Sequence, residues 1–463
     1  MLYYTKSGNA PFHEERGIRM KWNRKHFVFC VCICVAFVLF GVFVGVASVA
    51  TGHVKGWGSV GSNPAPEEEW DRTFGGSGLD RGYSVQQTSD GGYIIVGETY
   101  SYGAGESAVW LIKTNSKGIK EWDRTFGGLI WDGVGYSVQQ TSDGGYIIVG
   151  KTSSCLSDIA TSDVWLIKTD SEGIKEWDRK FGGLFDDCGY SVQQTSDGGY
   201  IIVGETWGIT TSDVWLIKMD SKGGEEWDRT FSKSGVNKGY SVQQTSDGGY
   251  IITGMEGPFF GIYDVLLIKT DSEGNEEWNR TFGGWCDTCG RSVQQTSDGG
   301  YIIAGWVYPY LFGIGSKDVL LIKTDSKGNE EWNRTFGGSD HDCGYSVQQT
   351  SDGGYIITGY TNSSGAGESD VLLIKTDSHG NKEWAMTIGG SNLDKGYSVE
   401  QTSDGGHIIV GETYSSGTGD GDVWLIKITP PSEKEAPGFE AIFAIAGLVV
   451  LAYFLKRRKL NNG

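Results

Sequence analysis

Five cysteines and one histidine are the residues best suited to chemistry. Cys155, Cys188, Cys286, Cys289 and Cys343 fall in connecting segments, far from the N-terminal apolar stretch that holds Cys30, Cys32 and Cys34. Cys286-Asp-Thr-Cys289 is a CxxC, and His341-Asp-Cys343 occupies the equivalent link about 55 residues later. Cys286, Cys289, His341 and Cys343 would make a tetrahedral Zn²⁺ set. An oxidising compartment favours disulfides instead, with Cys155–Cys188 as one pair and Cys286–Cys289 or Cys289–Cys343 as the other. Disulfides are the stronger expectation, and an odd count leaves one thiol over.

A second set is acidic. Asp80, Asp132, Asp187, Asp287, Asp342 and Asp394 precede one strand-like run in successive repeats, and Asn237 takes the remaining place. In a ring-shaped fold they would converge near the mouth of a central channel. Six carboxylates there could hold Ca²⁺. The favoured alternative is that each Asp caps its own turn, because no compact calcium-loop spacing is present. No other cofactor is expected. A third set is aromatic: Trp131, Trp207, Phe259, Phe260, Trp285, Trp306, Tyr308, Tyr310 and Phe312. They sit in segments that differ between repeats and look exposed. Aromatic platforms with nearby carboxylates suit sugars or protein partners. Eleven other tryptophans, Trp122 and Trp165 among them, recur in register and are expected in the core. No Ser–His–Asp set is readable, since only His341, His379 and His407 lie within the repeats. A glycosidase needs only two carboxylates, which 58 acidic residues can supply.

What positions these residues is one block written seven times, EWDRTFGG…GYSVQQTSDGGYIIVGET…DVWLIKTDSxG. Its marker tryptophans are Trp70, Trp122, Trp177, Trp227, Trp278, Trp332 and Trp384. A spacing of about 50 residues marks a propeller, solenoid or array. Each block holds four β-branched and aromatic runs separated by Gly, Asp and Ser, with Asp-Gly suited to a tight hairpin. The second and third runs are continuously apolar, as for strands covered on both faces. These features predict an all-β fold: a seven-bladed β-propeller of four-stranded antiparallel blades over residues 67–428, flanked by N- and C-terminal hydrophobic helices. The block region opens on a lone fourth run, Glu69–Phe74, and ends after a third, Asp422–Lys427. The first is expected to complete the last blade and close the ring, which removes exposed sheet edges. The first-to-second and third-to-fourth turns hardly vary, whereas the second-to-third loops and the links between repeats do. Binding is expected on that variable face.

The net charge of −19 excludes nucleic acid as a partner on electrostatic grounds. Residues 1–26 are a basic N-terminus, and 27–50 an apolar signal peptide or membrane anchor. Linkers follow at 51–66 and 429–438, with an apolar helix at 439–455 and a basic tail at 456–463. Basic flanks on both apolar runs put the repeats outside the cell. Asn279, Asn333 and Asn362 are then glycosylation acceptors.

Pro437-Gly438-Phe439, the apolar run and Lys456-Arg457-Arg458-Lys459 resemble the PGF-CTERM sorting signal of archaeal surface proteins. That resemblance implies removal of the helix by an archaeosortase and attachment of the new end to membrane lipid. The DGG-Y-I-I-V-G strand and the D-S-x-G-x-x-x-W turn, as at Asp271, Ser272, Gly274 and Trp278, resemble delta-60 and quinoprotein-like propeller repeats. In those families the motifs are structural and imply no catalytic residue here. The expected function is a membrane-anchored, extracellular, non-catalytic module for adhesion or envelope scaffolding, binding cell-surface glycans or envelope proteins. The alternative is a carbohydrate-active or quinoprotein-like propeller enzyme, and the missing vicinal cysteine pair weighs against the latter.

Overall fold

The computed structural model describes residues 66–430, apart from 104–106, 128–130, 155–160, 234, 259–260, 285 and 310–314. The apolar stretches 27–50 and 439–455, Phe259, Phe260, Trp285, Tyr310, Phe312, Cys155 and the side chain of Trp131 lie outside the described residues. Within them the chain is all-β. The first sheet runs β2 (Asp80–Gln87), β3 (Tyr93–Thr99), β4 (Ala108–Thr114) and β5 (Lys120–Gly127), each antiparallel to the next. The hairpin between β2 and β3 turns on Gly91, whose φ of 82° is the left-handed conformation that Asp-Gly supplies. The same four-stranded order recurs along the chain. Two arrays join into one eight-stranded sheet through a single parallel pair, Ser212 with Val236.

The last array is assembled from both ends of the repeats. β1 (Glu68–Phe74) pairs antiparallel with β28 (Asp422–Ile428), with Arg72 opposite Leu425 and Phe74 opposite Val423. Trp424 Nε1 donates to Asp71 Oδ2 at 2.8 Å across this junction. The lone N-terminal run therefore supplies the missing strand, as its sequence position requires.

Successive arrays are tied along their first strands. The backbone N–H of Gln140 donates to Gln86 Oε1 at 2.6 Å. Equivalent bonds link Gln194 to Gln139, Gln244 to Gln193, Gln295 to Gln243, Gln349 to Gln294, Gln401 to Gln348 and Gln87 to Glu400. The last returns to the first sheet, so the order is cyclic. The core lies between neighbouring sheets, as where Ile94, Val96, Val109 and Leu111 meet Val138, Tyr146, Ile148 and Trp165. Burying each such side chain contributes about 1.5–3 kcal/mol.

The docking role of the DSxG turn is visible in detail. Gly328 has φ 75°, and a side chain on it would lie 2.5 Å from the Trp278 ring of the preceding array. Arg280 stacks on that ring at 5.3 Å, and Tyr301 meets it at 5.9 Å. Most marker tryptophans are thus half-buried between arrays, whereas Trp110, Trp165 and Trp424 are fully in the core.

Candidate functional site

The two ends of the ring differ in chemistry. At the unvarying end, the lysine closing each third strand is buried and holds two turns. Lys323 Nζ lies 2.9 Å from Asp298 Oδ2, in the first hairpin, and 3.1 Å from Glu331 Oε2, in the fourth strand. Lys113, Lys168, Lys218, Lys269 and Lys375 do the same. Burial opposes ionisation of Asp298, yet bonds from Thr296, Lys323 and Gly300 hold its carboxyl down at about 2. The constant TSDGG and LIK segments are accounted for by this clamp. An open cavity of about 250 Å³ enters the ring among Val85, Gln86 and their equivalents. One of its seven polar positions is Glu400, which burial pushes up to about 7.

Toward the variable end the passage is closed by seven side chains. Tyr83, Tyr136, Tyr190 and Tyr240 stand 5.1–5.4 Å apart by ring centroid. Arg291 takes the next place, 4.1 Å over Tyr240 and 5.8 Å from Tyr345. Tyr397 completes the circle, 5.3 Å from Tyr345 and 5.2 Å from Tyr83. Sequence reading missed this ring, although the tyrosine of a GYSV segment recurring in six repeats was the available signal.

Above the ring lies a cavity of about 320 Å³, lined by Arg81, Tyr83, Glu98, Tyr100, Asp132, Tyr136 and Lys151, among others. β2 and β3 position its ion pair: Arg81 stands opposite Glu98 and donates to it at 2.9 Å, while its Nε donates to Glu412 at 2.6 Å. Tyr83 donates to the same Glu98 oxygen at 2.8 Å. Tyr100 is 48% exposed and offers an aromatic edge. Cations, carboxylates and phenols around one cavity can grip a polar, hydroxylated ligand.

Several expected site residues stand elsewhere. Trp306 is buried rather than exposed, because it pairs across strands with Cys289 and packs with Cys343 and Tyr360. Lys317 Nζ covers its ring at 4.0 Å. Trp207 is half-buried and donates to Glu205 at 2.9 Å. Tyr308 sits 6.1 Å from the His341 ring. His341 Nδ1 accepts the backbone N–H of Lys317, so it serves a turn. Cys188, Cys286, Cys289 and Cys343 are free thiols. Cys286 and Cys289 belong to one extended strand, β18 (Cys286–Gln295), and their odd spacing sends them to opposite faces, which prevents a bridge. Burial pushes Cys188 up to about 12, leaving it an unreactive thiol. Among the described residues no three His, Cys, Asp or Glu side chains cluster as metal ligands.

Most of the acids are engaged in turn capping. Asp80, Asp187, Asp342 and Asp394 cap turns by accepting backbone N–H groups four residues earlier, at 2.8–2.9 Å. Asp132 and Asp287 stand one residue out of that register. Gly133 and Thr288 occupy the aligned places, since β6 (Trp131–Gln140) and β18 are longer than β2. Asp132 accepts from Ser107 N and Asp287 from Tyr263 N.

Residues 436–459 match the PGF-CTERM motif. The chain is a membrane-anchored surface protein. No curated protein matches it. Several solved structures are distantly similar. The polysaccharide lyase Uly1 superposes with a TM-score of 0.49 at 12% identity, covering 75% of this chain and 90% of its own. A protein of unknown function from Dyadobacter fermentans gives 0.45 at 10% identity, over 79% and 100%. The GH32 β-fructofuranosidase BmSUC1 of Bombyx mori gives 0.30 at 12%, over 77% and 89%. Likenesses this weak say nothing of activity. Among the described residues no helix is long and apolar enough to cross a membrane.

Proposed function

We propose that this chain is a seven-bladed β-propeller, held at the outer membrane surface by its C-terminal signal. It binds surface glycans or envelope proteins without transforming them. The observation that carries this reading is the contrast between the two ends. One is locked by a repeated Lys–Asp–Glu clamp, and the other differs in every repeat and bears the Arg81–Glu98–Tyr100 cavity. Scaffold-held variable loops around a polar cavity are a binding arrangement. A glycan array and an envelope-fraction pull-down with the full chain test it. Saturable retention of a ligand recovered chemically intact supports the reading, and no retention on either overturns it.

A carbohydrate-active enzyme is the second reading, favoured by one observation: Glu98 and Asp132 line the same cavity. Two facing carboxylates are what glycoside hydrolysis requires. New reducing ends released from a bound glycan, and lost in Asp132→Asn, would select it.

A further inference from the structure

The turn-capping aspartates have partners that the repeats bring to them. The third strand of most arrays opens on Asp, and the next array's first strand opens beside it. At the ring-closing junction, Asp422 of β28 meets Asp80 of β2, whose backbone N–H donates to Gly421 O at 2.8 Å. Asp80 Oδ2 accepts from Gly76 N at 2.9 Å and Ser101 Oγ at 2.6 Å, while Asp422 Oδ2 accepts from Thr418 N. A methyl group at Gly75 would collide with the unpaired Asp422 Oδ1 and lie 2.9 Å from Asp80 Oδ2, so the two carboxylates stand side by side. Asp370 and Asp394 repeat this around Gly389, and Asp318 and Asp342 around Gly337.

In all three pairs both Oδ1 atoms are buried and have no hydrogen-bond partner. Asp80, Asp342, Asp370, Asp394 and Asp422 are 0–2% exposed. Six unpaired carboxylate oxygens, two at each of three equivalent junctions, do not arise by accident of one loop. Asp163 and Asp187 meet in the same way around Gly182, but there Asp187 Oδ1 accepts the backbone N–H of Trp207 at 3.3 Å and neither acid carries an orphan oxygen. Where a junction lacks its second acid, the orphan is absent too. Asn237 fills its place by donating to Ser212 O and Lys233 O at 3.0 and 2.9 Å. Thr288 accepts from Val265 N and donates to Phe282 O, while Asp264 Oδ1 accepts from Gly284 N. Ala108 and Gly133 carry no acid at all.

Two buried carboxylates side by side require either a cation or a shared proton. We propose that the Asp80–Asp422, Asp342–Asp318 and Asp394–Asp370 pairs each bind one calcium ion between adjacent arrays. Hard oxygen donors carrying two negative charges suit Ca²⁺. In Asp80, Asp422, Asp342, Asp370 and Asp394 the other oxygen already holds a variable-face loop or an inter-array link, so the ion would fix both. Burial, then the partner's charge, raises the Asp422, Asp370 and Asp318 carboxyls, as two unneutralised neighbours must.

The test is calcium titration of the chelator-treated full chain by calorimetry, alongside melting at constant ionic strength. The expected result is about three sites, with Tm rising as CaCl₂ is added. Asp422→Asn should remove one site and Thr288→Asp should add one beside Asp264. The second variant reads the proposal even if the first folds poorly. Absence of saturable binding, with Tm instead rising as pH falls toward 5, would mean a shared proton and overturn it. Binding that is the same in Asp422→Asn and Thr288→Asp as in the parent would mean general attraction to an acidic surface, and would also overturn it.

Discussion

Single side chains show how closely the repeat is constrained, and where it departs. His407 stands where the other repeats carry a tyrosine, such as Tyr355. It is buried against Trp384, neither ring nitrogen has a partner, and burial with Lys427 and Lys375 nearby holds it down at about 4. The unfolded chain takes up a proton on this histidine below about pH 6.5, whereas the folded one resists until about 4. Stability is therefore complete above pH 6.5 and declines toward 4. His407→Tyr should remove that decline, read by denaturant unfolding across this pH range. An unchanged pH profile in the variant would count against it. Gly328 gives a backbone test. A side chain there meets both a positive φ and the Trp278 ring, so Gly328→Ala should cost ~2 kcal/mol. A cost near zero in urea unfolding would show that the turn does not dock on the tryptophan.

The strands carry the part of the fold that the sequence states most openly. The unpaired run at residues 69–74 and the missing partner of Asp422–Lys427 point to each other, and β1 pairs with β28. Removing residues 67–74 exposes the edge of β28 and the Trp424 indole that donates to Asp71. Tm should fall by more than 10 °C, roughly the effect of several kcal/mol in a chain of this size, and aggregation should follow. A truncated chain that melts like the parent would contradict this pairing. Other features were hidden by register. One extra residue in β6 and in β18 shifts Asp132 and Asp287 off the positions of Asp80 and Asp394. Trp306 looks like a loop aromatic because only cross-strand pairing shows it opposite Cys289. The paired carboxylates arise on different arrays, about 25 residues apart in sequence for Asp318–Asp342 and Asp370–Asp394 and at opposite ends of the repeats for Asp80–Asp422. Each acid could be read alone as a turn cap, and their meeting could not.

At the scale of the molecule, the anchored surface location makes the acceptor asparagines testable. Asn333 and Asn362 are exposed, and Asn279 is half-buried with its amide donating to Glu276 at 2.6 Å. Intact-mass measurement of native material should find sugar on Asn333 and Asn362, with Asn279 modified least. All three unmodified would reject glycosylation. The central claim is that binding belongs to the variable end, and comparing variants at the two ends by binding measurement tests it most directly. Arg81→Ala with Tyr100→Ala alters the cavity, whereas Ser297→Glu with Ser351→Glu alters exposed turns of the clamped end. Retention of a surface glycan or envelope protein by the full chain should drop at least tenfold in the first pair and stay at the parental level in the second. The opposite pattern, loss at the clamped end with the cavity variant still binding, would contradict the account.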